Sequence, residues 1–306
     1  MTTKAVHKVS SRSVKRKFSK VGLFLIMYAL FALLIPYALD YYLISSNSEI
    51  LKDDIFYYGI FFIVILFGTL VPFFLMRKTF DLSLDNIGRS VSSSFTDLFV
   101  QTIVCFTLCI AFTYVSVIIF SRFGIDGQIL CSIGFSYNET NLTLPLYVFI
   151  VVIVTPFIEE YAFRGVLLNS LSRYGKRFAL YTSAFFFAIA HMNVVEYIPA
   201  FVMGYLLGKI SMRYKSIVPT ILIHMLFNIF LYVLFIIPPS IAQYTAYVLV
   251  GIIAIAAYLT LTGRYQRIRI QSHNSNRVAF KLFFSRASVI IATMLMILHT
   301  FLYMYL

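Results

Sequence analysis

An all-α, polytopic transmembrane bundle of about eight or nine spans, with its N-terminus cytoplasmic, is the fold class this chain predicts. Three observations predict it. Of 306 residues, 60% are hydrophobic and 12% charged, with a mean hydropathy of +0.88, whereas a soluble domain is about a quarter charged. The apolar residues stand in long continuous runs, and runs of that length cross a bilayer as helices, which satisfy every backbone group internally. Finally, the basic residues gather on one side of those runs.

Residues 1–20 form a basic tail holding Lys4, Lys8, Arg12, Lys15, Arg16, Lys17 and Lys20 and no acid. The run at 21–45 exceeds the apolar core of a signal peptide and lacks a small-x-small cleavage site, so it reads as a retained first span. Further runs lie at 55–76, 96–120, 143–168, 178–195, 197–212, 216–237, 241–262 and 287–306. Each is near the ~20 residues a crossing helix needs. The break between the fifth and sixth runs, at "MNVVEY", is short. The chain thus divides into the tail 1–20, N-terminal spans over 21–142, a core over 143–237 and C-terminal spans over 238–306. The last part includes a basic cytoplasmic loop, 263–286, long enough for an amphipathic piece on anionic lipid.

With the N-terminus inside, 22 of the 25 basic residues fall on the inner side. They lie in the tail and around Arg77, Lys78 and Arg89; Arg173, Lys176 and Arg177; Lys209, Arg213 and Lys215; and 264–286. Only Lys52 and Arg122 fall outside, which supports that orientation. The net charge of +13 is therefore a topology signal, and nucleic acid is excluded as a partner. Cys105, Cys109 and Cys131 form no CxxC, so neither a disulfide framework nor a metal knuckle is indicated. Cys105 and Cys109, one helical turn apart, should pack as small hydrophobes. Asn138 and Asn141 match glycosylation acceptors on the outer side, a pattern common by chance.

Ionisable groups deep in a bilayer cost about 2.5–3.5 kcal/mol each on insertion scales, so such a cluster points to function. Inside the runs these groups are Glu159, Glu160, Arg164, His191, His224 and His299, with Asn228 beside His224. Glu160 and Arg164 are four apart, acid first, and can neutralise each other. Glu159 points about 100° away at ~3.6 residues per turn and is left free to work. Pro156, one turn earlier, removes a backbone donor and kinks the helix. The bland alternative pairs Glu159 with Lys209 or a histidine on another span. His191 lies four residues after Phe187, and His224 and Asn228 share a face, where either pair could be interhelical glue. His299 lacks a polar companion and reads as packing. Glu159 and His224 fall inside the midplane and His191 past it, so a tilt or a kink at Pro156 or Pro219 must bring them together.

The combination Glu-Glu-x-x-x-Arg, Phe-x-x-x-His and His-x-x-x-Asn, on three runs in this order, resembles the CPBP family of intramembrane proteases. That family includes the Rce1-type CAAX prenyl endopeptidases and the bacterial Abi proteins. The resemblance covers roughly 143–237. It implies that Glu159, His191, His224 and Asn228 are catalytic, with Glu160, Arg164 and Phe187 supporting. The expected partner is a membrane-associated or lipidated peptide or protein substrate, in the plasma membrane of a bacterium.

No HExxH, Gly-x-Gly-Asp or Gly-x-Ser-Gly motif is present to mark the other intramembrane protease classes. Water is then the nucleophile and Glu159 its general base, with His224 and Asn228 placed to stabilise the oxyanion. Two histidines and a glutamate also make a sensible three-ligand zinc set, so Zn2+ on His191 and His224 stands beside a metal-free mechanism. The rival readings are a non-catalytic membrane scaffold or bacteriocin-immunity protein with the same fold, and a proton-coupled transporter. A transporter would usually show paired repeats, and none is evident.

The charge bias makes the topology testable. A reporter fused after residue 306 should be exported, and one inserted near residue 275 should be cytoplasmic. Both on one side would remove the ninth span.

Overall fold

The computed structural model describes residues 11–46, 54–83, 95–125, 148–191, 193–236, 251–256, 258–259, 262 and 275–304. The tail before residue 11, most of the run 241–262, the loop segment 263–274, Cys131 and the Asn138 and Asn141 acceptors lie outside them. Every regular element among the described residues is helical. Helix α1 (Ser11–Tyr28) passes through a wide π-type turn, Ala29–Leu34, into α2 (Ile35–Ser45). Helices α3 (Asp54–Thr79) and α4 (Phe95–Ser121) follow. The fifth helix, α5 (148–172), alternates π-type turns at Val148–Val154 and Glu160–Leu168 with α-helical turns at Thr155–Glu159 and Asn169–Ser172. Then come α6 (Lys176–Ile189), α7 (Val194–Tyr214), α8 (Val218–Ile236), α9 (Ser275–Phe284) and α10 (Ala287–Met304).

Among the described residues, four helical stretches are long and apolar enough to cross a membrane: Arg12–Ser45, Phe62–Thr79, Phe95–Ser121 and Val194–Tyr214. The bent pair α9–α10, with 72° between its members, makes a fifth if it is one span. Physical reasons separate this number from the apolar runs. Helix α6 ends at Ile189 rather than 195, and its 14 residues reach only ~21 Å at ~1.5 Å per residue. Helix α5 carries Glu159, Glu160 and Arg164 in its middle.

Helices α6 and α7 form an antiparallel hairpin. Gly204 lies against Ala184 and Phe187, while Gly208, one turn on, meets Leu180. Helix α4 flanks α7, also antiparallel. Near one end Asp97 binds Arg213 (3.0 Å) and accepts from the Tyr214 hydroxyl; near the other, Ser116 Oγ donates to the Val195 carbonyl (2.6 Å). Cys105 and Cys109 are buried free thiols against Met203, as small hydrophobes would be. Helix α1 packs on α3 and α10, and Phe18 sits among Tyr174, Phe178 and Phe283.

Helix α9 is the described part of the expected amphipathic loop. Arg277 and Lys281 face outward, while Phe280 and Phe283 pack on Phe178. Asn276 Oδ1 accepts from the Phe178 amide (3.2 Å) near the start of α6, beside Gly175, whose φ of 146° favours glycine. Two of the nominated polar groups are buried beside aromatic rings. Lys209 is buried within α7 with its ammonium 5.3 Å from the Tyr205 ring centroid, and His299 is buried on α10 against Tyr37.

Helix α3 crosses the wide turn Ala29–Leu34 at Gly68, where a Cβ would sit 2.7 Å from the Phe31 carbonyl carbon and 2.8 Å from Ala32 Cα. Backbone cannot move aside as a side chain can. Gly68→Ala should therefore lower thermal stability in detergent by about 1–3 kcal/mol. Gly59→Ala, with nothing within 4 Å of its Cβ, should leave it unchanged or raised. Equal effects would show that the crossing is looser than described.

Candidate active site

The site begins with a backbone irregularity. In a π-type turn the amide of residue i+5 donates to the carbonyl of residue i, so the partner for Val151 would be residue 156. That residue is Pro156, which has no N–H. Asn228 of α8 supplies the missing donor, its Nδ2 lying 3.0 Å from the Val151 oxygen. The expected irregularity at Pro156 is present, and it also ties α5 to α8. Pro219 acts differently from the expectation of a kink. It falls in the first turn of α8, where a missing amide is harmless. The chain enters α8 through Lys215, in the left-handed region at φ 50°, and Ser216 Oγ accepts from the Val218 amide (3.2 Å).

The two adjacent glutamates have different surroundings. Glu160 has no exposed side-chain surface, and its Oε1 lies 2.7 Å from Arg164 Nη1. The same oxygen lies 3.1 Å from His224 Nδ1. Arg164 is equally buried, and its guanidinium stacks over the Phe187 ring at 4.1 Å, a desolvated cation–π contact. Glu159 keeps 26% of its side-chain surface, and its Oε2 lies 3.8 Å from His224 Nε2. The expected division therefore holds in its geometry: Glu160 is the partner of Arg164 and Glu159 is not. The finding not foreseen is that His224 stands between the two carboxylates. A carboxylate only accepts, so Nδ1 of a neutral His224 carries the proton toward Glu160 and Nε2 is left as an acceptor. A separation of 3.8 Å is too long for a direct hydrogen bond. It admits, to one side, a water at about 2.8 Å from both atoms.

Phe187 is the hub. Its ring touches the His191 ring (centroids 4.7 Å apart) and the His224 ring (5.9 Å) as well as Arg164. The short α6 is what resolves the depth mismatch expected for His191. The helix stops at Ile189, and His191 lies in the turn before α7, its Nδ1 donating back to the Phe187 carbonyl (2.8 Å). Asn193 then caps α7, accepting from the Val195 amide (3.0 Å) and donating to Glu196 Oε1 (3.3 Å). Glu196 is a carboxylate beside His191 that the sequence reading missed. The Asn-x-x-Glu spacing of a capping box was its available signal.

The zinc expectation needs three converging donors. Among the described residues no three His, Cys, Asp or Glu side chains gather where a metal ion could be held. His224 gives Nδ1 to Glu160 and His191 gives Nδ1 to the Phe187 carbonyl, which leaves the two Nε2 atoms with Glu159 as the donors to consider, and these do not converge. The residues as arranged do not fit a three-ligand zinc site, and no chemistry below is routed through one.

Fold and site together define a helical membrane protein with a buried glutamate–arginine–histidine cluster on three packed helices. Residues 141–230 match the family described as type II CAAX prenyl endopeptidase Rce1-like. That likeness covers under a third of the chain, takes in all three motifs and bears out the resemblance they carry. Comparison with curated proteins and with solved structures gave no match.

The buried pair generates a prediction for abundance. Glu160→Gln leaves the Arg164 cation without its counter-charge, at about 3–5 kcal/mol, and the protein should become scarce in the membrane. Adding Arg164→Gln should restore part of the abundance, read by quantitative blotting. A Glu160→Gln protein at wild-type level would show that the pair does not hold the site together.

Proposed function

We propose that this chain is an intramembrane endopeptidase that hydrolyses a peptide bond of a membrane-associated or lipidated peptide, using water activated by Glu159. The observation that carries the reading is the contrast between neighbouring carboxylates. Glu160 is sealed against Arg164, whereas Glu159 reaches accessible space beside an acceptor nitrogen of His224. The family description adds the CAAX-type peptide as the substrate class to try first.

The chemistry follows from the donors and acceptors. A water held between Glu159 and His224 Nε2 gives a proton to Glu159 as its oxygen bonds to the scissile carbonyl carbon, and the carbonyl π pair moves onto oxygen. Collapse of that tetrahedral species breaks the C–N bond, and the proton carried by Glu159 passes to the departing amine. Arg164 and Glu160 fix the His224 ring through Nδ1 and do not meet substrate. Asn228 spends one amide hydrogen on Val151 and has a second for the oxyanion. His191, anchored at Nδ1 by the Phe187 carbonyl, has Nε2 left for substrate.

The same reading places the protein in a plasma membrane as eight or nine crossings, N-terminus in the cytoplasm. It counts α5, α6 and α8 as crossings or part-crossings although each is short or interrupted. Its support is the one-sided distribution of basic residues.

Purified protein in liposomes should cleave an internally quenched peptide ending in a prenylated Cys-a-a-X sequence. Glu159→Gln should reduce the rate by roughly 10²–10⁴-fold at near-normal abundance. Intact cleavage by Glu159→Gln would remove Glu159 as the base and put the scaffold reading first. In the same assay, chelator-stripped protein should keep its full rate. Activity lost on stripping and regained with one equivalent of zinc would replace this mechanism with a metal-assisted one.

A further inference from the structure

We infer that Tyr28, on α1 and outside the Rce1-like segment, is an additional catalytic residue whose hydroxyl donates a hydrogen bond to the developing oxyanion of the scissile carbonyl. The inference rests on the hydrolase reading above and deepens it.

The motivating problem is a shortage of donors. His224 turns one nitrogen to Glu160 and the other toward Glu159, and Asn228 has given one of its amide hydrogens to a backbone carbonyl. A tetrahedral oxyanion in a water-poor site is stabilised by donors fixed in advance, and a phenol supplies one without carrying charge.

Tyr28 is placed for this by packing that leaves its ring little freedom. The residue is only 6% exposed, and its ring edge meets Phe73 (centroids 5.5 Å apart) and Phe163 (6.0 Å). Phe163 lies four residues after Glu159 on α5, and its own ring meets Phe187 (5.3 Å), against which both site histidines rest. One continuous aromatic wall therefore runs from Tyr28 to His191 and His224. Glu159 is the charged group whose field reaches the Tyr28 hydroxyl.

Two further features separate this tyrosine from ordinary core packing. Its hydroxyl makes no hydrogen bond among the described residues and, unlike that of Tyr174, is not fully enclosed, so its donor is available. Second, Tyr28 stands immediately before the wide turn Ala29–Leu34, which is followed by Pro36, just as Val148–Val154 is followed by Pro156. Such turns concentrate at functional sites, and here the two helices that carry them meet through Tyr28 and Phe163.

In the reaction the Tyr28 O–H bond stays intact. The hydroxyl donates to the carbonyl oxygen as water adds, and the interaction relaxes when the C–N bond breaks and the carbonyl reforms. No oxidant or co-reactant enters.

Tyr28→Phe keeps the ring and removes only the donor. With the prenylated Cys-a-a-X peptide, kcat should fall by roughly 10²-fold, as for loss of one oxyanion donor, while KM, membrane abundance and the unfolding temperature stay at wild-type values. A peptidyl trifluoromethyl ketone of the same sequence, whose hydrate mimics the tetrahedral species, should bind wild type at least tenfold more tightly than the variant. Wild-type kcat in Tyr28→Phe overturns the inference, as does a variant that loses abundance, since its hydroxyl is then structural. Glu159→Gln in parallel separates the two claims. If Glu159→Gln is inactive and Tyr28→Phe fully active, the protease reading stands and Tyr28 falls.

Discussion

A carboxylate and a guanidinium enclosed in a helical bundle, with almost no exposed surface between them, set the terms for everything around them. Neither Glu160 nor Arg164 can be buried alone, because an uncompensated charge in such surroundings costs several kcal/mol. The pair, in contact at 2.7 Å along one face of α5, must be buried together, and that fixes the rotation of α5 about its own axis. Once α5 is so rotated, Arg164 lies over Phe187 and Glu160 meets His224, which brings α6 and α8 to their places. Glu159, one residue earlier, is consequently turned to the accessible side of His224. The different surroundings of the adjacent glutamates follow from one buried ion pair.

The backbone makes this arrangement attainable. In a straight α-helix over 148–172, Pro156 would leave the Val152 carbonyl without its donor, and the wide turn moves the open acceptor to Val151. Pro156, after a wide turn, leaves an acceptor at Val151, and Asn228 closes it. That hydrogen bond spans α5 and α8, so the histidine-bearing helix is held to the glutamate-bearing helix one turn beyond His224. On the third side, α6 stops short and the chain turns at His191, whose ring is locked by the carbonyl four residues back. Interruption of regular structure thus occurs where the ionisable side chains gather, while α4 and α7 beside them are unbroken helices joined near both ends.

Much of this was legible in the amino acids. The apolar runs foretold helices, and the spacing of Glu160 and Arg164 foretold their pairing. The order of the three motifs foretold which helices would meet. What the sequence could not convey is where helical rules fail. A period of 3.6 residues sets Glu159 off the Glu160–Arg164 face, yet only the third dimension shows that His224 occupies the space between the two carboxylates. The early stop of α6 was hidden because "AIAHM" continues the apolar run without a break. Depth counted along ideal helices then placed His191 too far from His224. Tyr28 had no sequence signal, since a tyrosine in an apolar run is usually packing, and its relation to Phe163 spans 135 positions of chain.

The central claim is that Glu159 activates water and does not itself attack the peptide. A single turnover in water enriched in oxygen-18, with enzyme in excess over the prenylated Cys-a-a-X peptide, tests it most directly. Mass spectrometry of both partners reads the outcome. The account predicts one heavy oxygen in the new carboxyl group of the product and none in the Glu159 side chain. An unlabelled product from that first turnover, with the heavy oxygen in Glu159, would mean that the glutamate forms an acyl intermediate and would contradict it.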